Sequence, residues 1–306
     1  MTGIVDDFKN AFRKQNNGLI QIILINIIVF LLLITCRLVL QLSMGQPQGD
    51  AFYFNFIAHN LYLSGNAMTF LVRPWTLFTY LFAHSHQDLF HLVFNMLFLY
   101  WFGKLIDEYL GNRRLINLYL LGGFAGGLTF LLMANLVPDF NLRNIYLLGA
   151  SGGVFAVVVG AATLMPNYTF FMFLLGPVRI KYIAGFFIVL SYVGLATGGN
   201  IGGDLAHLGG ALMGFLFITQ LNKGIDLGRP LTRVNEWLSS LFRPKPKMKV
   251  TYRNTTPVSA KTPAATYSGM PDDDEIDAIL DKINRSGYES LTKEEKQKLF
   301  RASQKN

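Results

Sequence analysis

Residues 18–36 read GLIQIILINIIVFLLLITC, without a single charge. Hydrocarbon offers backbone amides no hydrogen-bond partner, so a run of this kind must satisfy its own N–H and C=O groups by coiling into a helix. A helix that crosses a bilayer needs roughly 20 apolar residues. By that measure the chain carries six candidate spans, at about 18–42, 88–106, 114–136, 149–165, 182–198 and 204–222. The fourth is short, which suits a helix sheathed by its neighbours rather than by lipid. Segment 169–178, TFFMFLLGPV, is also apolar, but Pro177, Arg179 and Lys181 interrupt it. It is expected to be an interfacial stretch leading into the fifth span, or that span's first turns. Only 15% of the chain is charged, against about 25% in soluble domains, and the charge is confined to the N-terminus, short patches and the last eighty or so residues. The fold class is therefore an all-α polytopic membrane protein with a polar tail.

The net charge of +8 is explained by basic loops beside spans rather than by nucleic-acid binding. Lys9, Arg13 and Lys14 precede the first span. Lys104, Arg113 and Arg114 lie between the second and third, and Arg179 and Lys181 between the fourth and fifth. The alternate loops hold only Arg73 and Arg143. This bias predicts a multi-pass protein of the plasma (inner) membrane with both termini cytoplasmic and the loop 43–87 outside. Spans two, four and six then run from outside to inside. The single cysteine, Cys36, excludes a disulfide framework within the chain and is read as packing. No cleavable signal peptide is expected, because the first eighteen residues are polar and the following apolar run is too long.

Organisation follows from composition. Residues 1–17 form an N-terminal cytoplasmic segment and 18–222 a six-helix core. Residues 223–267, which include RPKPKMKVTYRNTTPVSAKTP, form a basic flexible linker. In 268–306, Ile276, Ile279, Leu280 and Ile283 recur at helical spacing, Gly287 stops a helix, and Thr292 with Glu295 forms a capping box. This predicts a small cytoplasmic helical hairpin. A partner-binding module and an inert tail are both compatible with it.

Polar side chains inside spans are costly and mark function. Ser151 sits in the fourth span among Gly149, Gly152 and Gly153, and His207 in the sixth, within GGDLAHLGGALMG. In the second span His91 and Asn95 are four residues apart, hence on one helix face. Each lies within about two turns of the outer end of its span, so the four can meet in one plane. Their chemistry suits acyl transfer: histidine activates the serine hydroxyl, and Asn95, His91 and the Ser151 backbone N–H are donors for an oxyanion. Asp204 is expected to face the outer loop, which leaves a Ser151–His207 dyad without a third carboxylate. Glycines at 122, 123, 126 and 127 in the third span, and at 210 and 214 in the sixth, predict close helix packing.

These residues resemble the rhomboid family of intramembrane serine proteases. The resemblance covers about 70–222 and rests on GASG around Ser151, AHLGGALMG around His207, HLVFNM with His91 and Asn95, and FGKLIDEYLGNRR after it. It implies a six-helix rhomboid protease domain, with Ser151 and His207 catalytic, Asn95 and His91 at the oxyanion, and Gly149, Gly152, Phe155 and Gly210 in support. It implies endoproteolysis of single-span membrane proteins in or near their transmembrane helix, within the lipid bilayer and with no metal or cofactor. The outer loops and fifth span would form the gate, with Phe186, Phe187 and Tyr192 lining it. Two positions depart from the family pattern. Pro74-Trp75-Thr76 stands where members often carry Trp-Arg, and Phe155 stands where some have tyrosine.

Three other readings compete. A metal-dependent protease would use His84, His86 and His91, but no HExxH occurs, and His84 and His86 are expected to border the outer loop and support it by hydrogen bonds. A catalytically silent rhomboid-like protein would bind membrane clients, but such proteins usually lack the serine or the histidine. A transporter or channel would fit six spans, yet neither an inverted repeat nor a midplane charge pathway is visible.

Overall fold

A computed structural model describes residues 17–86, 88–137, 142–172, 176–242 and 273–303. The expected N-terminal segment lies almost wholly outside the described residues. The chain divides into two compact units, Met1–Pro244 and Lys245–Asn306.

In the first unit, α1 (Gly18–Met44) extends about 40 Å at 1.5 Å per residue, enough to cross hydrocarbon. The chain then folds into α2 (Gln46–Phe52), a π-helical turn over Tyr53–Ala58, one turn over His59–Leu61, strand β1 (Leu63–Ser64), α3 (Ala67–Val72) and α4 (Thr76–Thr79). Long helices α5 (Leu89–Leu110) and α6 (Asn112–Leu136) follow, then β2 (Tyr146–Leu147), α7 (Ser151–Leu164), β3 (Thr169–Met172), β4 (Gly176–Arg179), α8 (Ile180–Thr197) and α9 (Ile201–Asn222). Among the described residues, α1, α5, α6, α8 and α9 are long and apolar enough to cross a membrane.

The fourth of the six candidate spans is the short helix α7, sheathed by its neighbours as its length suggests. Helix α7 is about 21 Å long, less than the hydrocarbon thickness. Every residue from Ser151 to Ala162 except Phe155 is buried, and α5, α6 and α9 enclose it. Burial inside the bundle removes the need for a span-length helix. By contrast α1 and α8 are only 22% buried over their apolar windows, against 56% for α6 and α9, so they sit at the periphery.

The segment before α8 is a β-hairpin, with Phe170 opposite Val178 and Phe171 opposite Pro177. It is not the first turns of the span. Thr169, Phe170 and Phe171 favour extended backbone, and Pro177 has no N–H to give a helix.

The long loop before α5 is pinned at several points. Arg37 Nε donates to Asp50 Oδ1 at 2.7 Å. Arg73 donates to Asn60 Oδ1 at 3.0 Å and contacts His59 Nε2 at 2.8 Å, while Trp75 Nε1 donates to the Asn60 carbonyl at 2.9 Å. An arginine therefore ties this loop down although it precedes the tryptophan. Strand β1 pairs antiparallel with β2, Leu63 opposite Leu147, which joins the loop to the lead-in of α7.

The bundle centre is backbone against backbone. A Cβ at Gly126 would lie 2.6 Å from the Ala206 carbonyl oxygen, and one at Gly210 or Gly214 would collide with the carbonyls of Gly152 or Ala156. Helices α6, α7 and α9 thus meet along glycine stripes, the small-residue packing expected between membrane helices.

Part of the stretch read as a flexible linker is helical. Residues Arg229–Phe242 form α10, and 243–267 lie outside the described residues. Leu231, Val234, Trp237 and Leu238 carry a helical period that the basic, proline-rich sequence following it obscured. Asn117 Nδ2 donates to the Gly228 carbonyl at 3.1 Å and to Thr232 Oγ1 at 2.9 Å, which ties α10 to α6.

The second unit contains α11 (Asp273–Ser286) and α12 (Lys293–Ser303). Thr292 N donates to Glu295 Oε2 at 2.7 Å, and Glu295 N to Thr292 Oγ1 at 3.3 Å, the reciprocal bonds of a capping box. Lys282 Nζ lies 2.9 Å from both Glu295 oxygens. The bond from Lys282 comes first, and that from the Thr292 N–H second, in holding the Glu295 carboxyl down at about 2. A lowered folded-state value stabilises above the ordinary carboxylate range and is lost as pH falls through about 2. Amide exchange in 273–303 of the intact chain should therefore quicken as pH drops from about 4 toward 2, once corrected for intrinsic exchange rates, and Glu295→Gln should flatten that dependence.

Gly210→Val should push α9 off α7 and cost about 1–3 kcal/mol, as overpacking does. Gly185→Val, which meets open space, should leave the thermal melt of the detergent-purified protein unchanged. Equal melting of the two variants would refute the close-packing account.

Candidate active site

Helix α5 starts at a cap: the Asp88 side chain accepts from His91 N at 3.0 Å. This fixes the first turn, and with it His91 and Asn95 one turn apart on the same face. Asn95 Nδ2 donates to the His91 carbonyl at 2.7 Å. One amide hydrogen is committed there and the other is free to point elsewhere.

Ser151 is the first residue of α7, so its N–H belongs to the helical turn that lacks intrahelical acceptors. The chain reaches it through Gly149, whose φ of 126° is open to glycine. Gly149 N donates to the Tyr80 carbonyl at 3.0 Å, anchoring this approach to the loop before α5. A Cβ at Gly149 would lie 3.5 Å from His91 Nε2 and 3.8 Å from Ser151 Oγ. The missing side chain leaves the space between those two atoms open.

His207 is gripped from two helices besides its own. The Phe155 ring, one turn after Ser151 on α7, stacks on the imidazole at 4.2 Å with 4° between planes. Ser191 Oγ of α8 lies 3.0 Å from His207 Nδ1. Asp204 Oδ1, one turn earlier on α9, lies 3.7 Å from the same nitrogen. Asp204 does not face the outer loop as expected. Its side chain is 13% exposed, because the i,i+3 spacing puts it on the His207 face and Gly194 of α8 leaves room that a Cβ would fill.

The sequence-predicted residues converge. Ser151, His207, His91 and Asn95 all line one cavity of about 250 Å³, together with Phe155, Ser191 and Asp204. Its walls are apolar, from Phe94 and Phe98 of α5, Val154 of α7, and Ala184, Phe187 and Leu190 of α8. Gly152 and Gly210 do not line it; they form the α7–α9 contact. Of the three expected gate residues only Phe187 lies at the cavity, edge-on to Phe98 at 4.9 Å. Phe186 and Tyr192 turn outward, 62% and 69% exposed.

The expectation that His84 and His86 brace the loop by hydrogen bonds is corrected. Neither ring nitrogen of His84, nor Nε2 of His86, has a partner among the described residues. His84 is 3% exposed, and burial pushes its pKa down to about 4, so the ring is neutral. It packs edge-on to His91 at 6.0 Å between centroids.

Sequence reasoning missed Ser191 and misplaced Asp204. Both carried a signal. Ser191 is a polar residue within an apolar span, and Asp204 lies one turn from His207.

A family model for the rhomboid domain matches residues 71–223, and one for a family of unknown function (DUF6576) matches 271–305. The chain is 34% identical over 153 residues to the mitochondrial RHOMBOID-like protein 12 of Arabidopsis thaliana, covering 46% of this chain and 45% of that one. It is 30% identical over 150 residues to mitochondrial Rhomboid protein 1 of Saccharomyces cerevisiae, covering 48% and 42%. Over a longer stretch, 221 residues, it is 28% identical to the chloroplastic Rhomboid-like protein 11 of Arabidopsis thaliana, covering 69% and 68%. The chain thus spans less than half the length of the first two relatives. The matched rhomboid domain occupies half of the chain and contains every residue that lines the cavity, so this chain belongs to the rhomboid family.

Proposed function

We propose that this protein is an intramembrane serine endopeptidase that cuts single-span membrane proteins in or near their transmembrane segment. The observation that carries this reading is the convergence of Ser151 and His207 in one cavity, with the imidazole stacked on Phe155 and its Nδ1 engaged by Ser191 and Asp204. An engaged Nδ1 leaves Nε2 as the nitrogen for the serine proton.

In this reading Ser151 Oγ gives its proton to His207 Nε2 and bonds to the scissile carbonyl carbon. The oxyanion accepts from the free Asn95 N–H, from His91 and from the Ser151 backbone N–H. Collapse breaks the C–N bond, and the proton on His207 passes to the departing amine. Water then gives a proton to His207 and its oxygen to the acyl ester, and Ser151 takes the proton back as the acid leaves. A substrate helix must open locally to present its peptide bond, which favours small or helix-weakening residues near the cut. The apolar wall shared by α5 and peripheral α8, with Phe187 between them, supports entry from the lipid side.

The names of the relatives above are mitochondrial or chloroplastic, which concerns those proteins. For this chain we propose a multi-pass arrangement in the plasma (inner) membrane, both termini cytoplasmic and the cavity toward the outer face. The support is the lysine and arginine bias between alternate loops.

Purified protein should cleave a single-span reporter, and Ser151→Ala and His207→Ala should each reduce turnover by about 10³-fold or more. Cleavage retained by Ser151→Ala would overturn the nucleophile assignment. No cleavage by the parent, with no labelling by a serine-directed probe, would favour a client-binding role instead.

Ser191→Ala, which removes the bond to His207 Nδ1, should lower kcat by about tenfold, the worth of one hydrogen bond, and Asp204→Asn, which removes a carboxylate 3.7 Å from the same nitrogen, should lower kcat by less, each more than it changes KM. Parental kcat in both would remove their positioning role.

A further inference from the structure

Helix α10 has two unlike sides. Thr232 bonds to Asn117 at 2.9 Å and Glu236 pairs with Arg113 at 3.6 Å, so one side is held against the start of α6. Val234, Trp237 and Leu238 recur at helical spacing on another side and are 53%, 61% and 44% exposed. At about 100° per residue, that stripe is turned roughly half a circle from the α6 contact. The bundle does not cover it.

Its level relative to the bundle is defined by its contacts. Helix α6 begins at Asn112, and Arg113 and Arg114 mark where it leaves the apolar zone. Asn117, which holds α10, is about 5 Å further in than these arginines. Asp226, between α9 and α10, pairs with Arg114 at 3.7 Å. The last span, α9, ends at Asn222, and α10 starts at Arg229. A helix pinned at this level, with its apolar stripe turned away from the protein, meets the boundary between headgroups and acyl chains. Amphipathic helices and tryptophan settle at that boundary. The polar side carries Arg233, and Arg243, Lys245, Lys247 and Lys249 follow in the sequence, which suits a phosphate-bearing surface.

We infer that α10 lies in the membrane interface, with Val234, Trp237 and Leu238 sunk into the acyl boundary of the leaflet from which α9 emerges. The occupant of this face is lipid, not a second copy of the chain or the hairpin. The helix acts as a float that holds the ends of α6 and α9 at a fixed depth.

The chain has three tryptophans, so Trp75→Phe with Trp101→Phe leaves Trp237 as the sole reporter in the full-length protein. The protein is placed in nanodiscs of phosphatidylcholine and phosphatidylglycerol, with and without a nitroxide high on the acyl chain. Emission should be strongly quenched by the nitroxide and severalfold less by aqueous iodide. Adding Val234→Glu and Leu238→Glu should reverse that ratio, while a circular dichroism spectrum matching the parent's shows that the bundle is retained. Quenching by iodide and not by the nitroxide would overturn the inference by placing the stripe in water. Protection from both quenchers would overturn it by showing a protein cover.

Discussion

The contact between α7 and α9 is the constraint on which the rest of the molecule depends. A helix of 14 residues is too short to cross hydrocarbon alone, so α7 exists only inside a sheath. The sheath closes because Gly210 and Gly214 present bare backbone to the carbonyls of Gly152 and Ala156, and Gly126 does the same for Ala206. Between membrane helices no hydrophobic effect drives association, and close van der Waals fit must supply it. The same contact aligns the first turn of α7 with the second turn of α9. Ser151 and His207 reach one cavity as a consequence of how the two helices are allowed to touch.

A buried polar cluster is stable only if its members are satisfied. Here the cluster is assembled from four helices, and each contributes an interaction as well as a side chain. Helix α5 commits one Asn95 amide hydrogen to the His91 carbonyl. Helix α7 supplies the Phe155 plate, and α8 the Ser191 hydroxyl. Helix α9 supplies Asp204 beside His207. The imidazole is held by face and by one edge, which in the proposed reaction leaves its other edge for the serine. Phe155 needs no phenol for this: stacking rests on the ring face, which phenylalanine and tyrosine share.

Two outer features connect this centre to its surroundings. The loop before α5 is tied to the lead-in of α7 by β1 and β2, and by the bond from Gly149 to Tyr80. Arg73 and Trp75 hold that loop through Asn60 and His59. Peripheral α8 forms one apolar wall of the cavity and is far less buried than α6 or α9. At the opposite end, α10 clasps the start of α6. The centre is thus rigid where backbones touch and thinly covered on its α8 side.

Much of the fold was legible in the sequence because the driving signals are local. Uncharged runs of span length declare helices, glycines at four-residue spacing declare close packing, and Thr292 with Glu295 declares a cap. His91 and Asn95 could be paired because one helix turn separates them. The candidate site was legible as four polar residues at similar depth. What the sequence by itself determined was the presence of those helices and the chemical kinds available to them. Only the tertiary structure decided that Asp204 turns toward His207, since that depends on the room beside Gly194 of another helix, and that Ser191 meets Nδ1 from α8. It also decided that Thr169–Met172 pairs with Gly176–Arg179 and that α10 folds where composition suggested a linker. Each of these rests on a partner distant in the chain, and periodicity and composition carry no information about which distant surface a residue will meet.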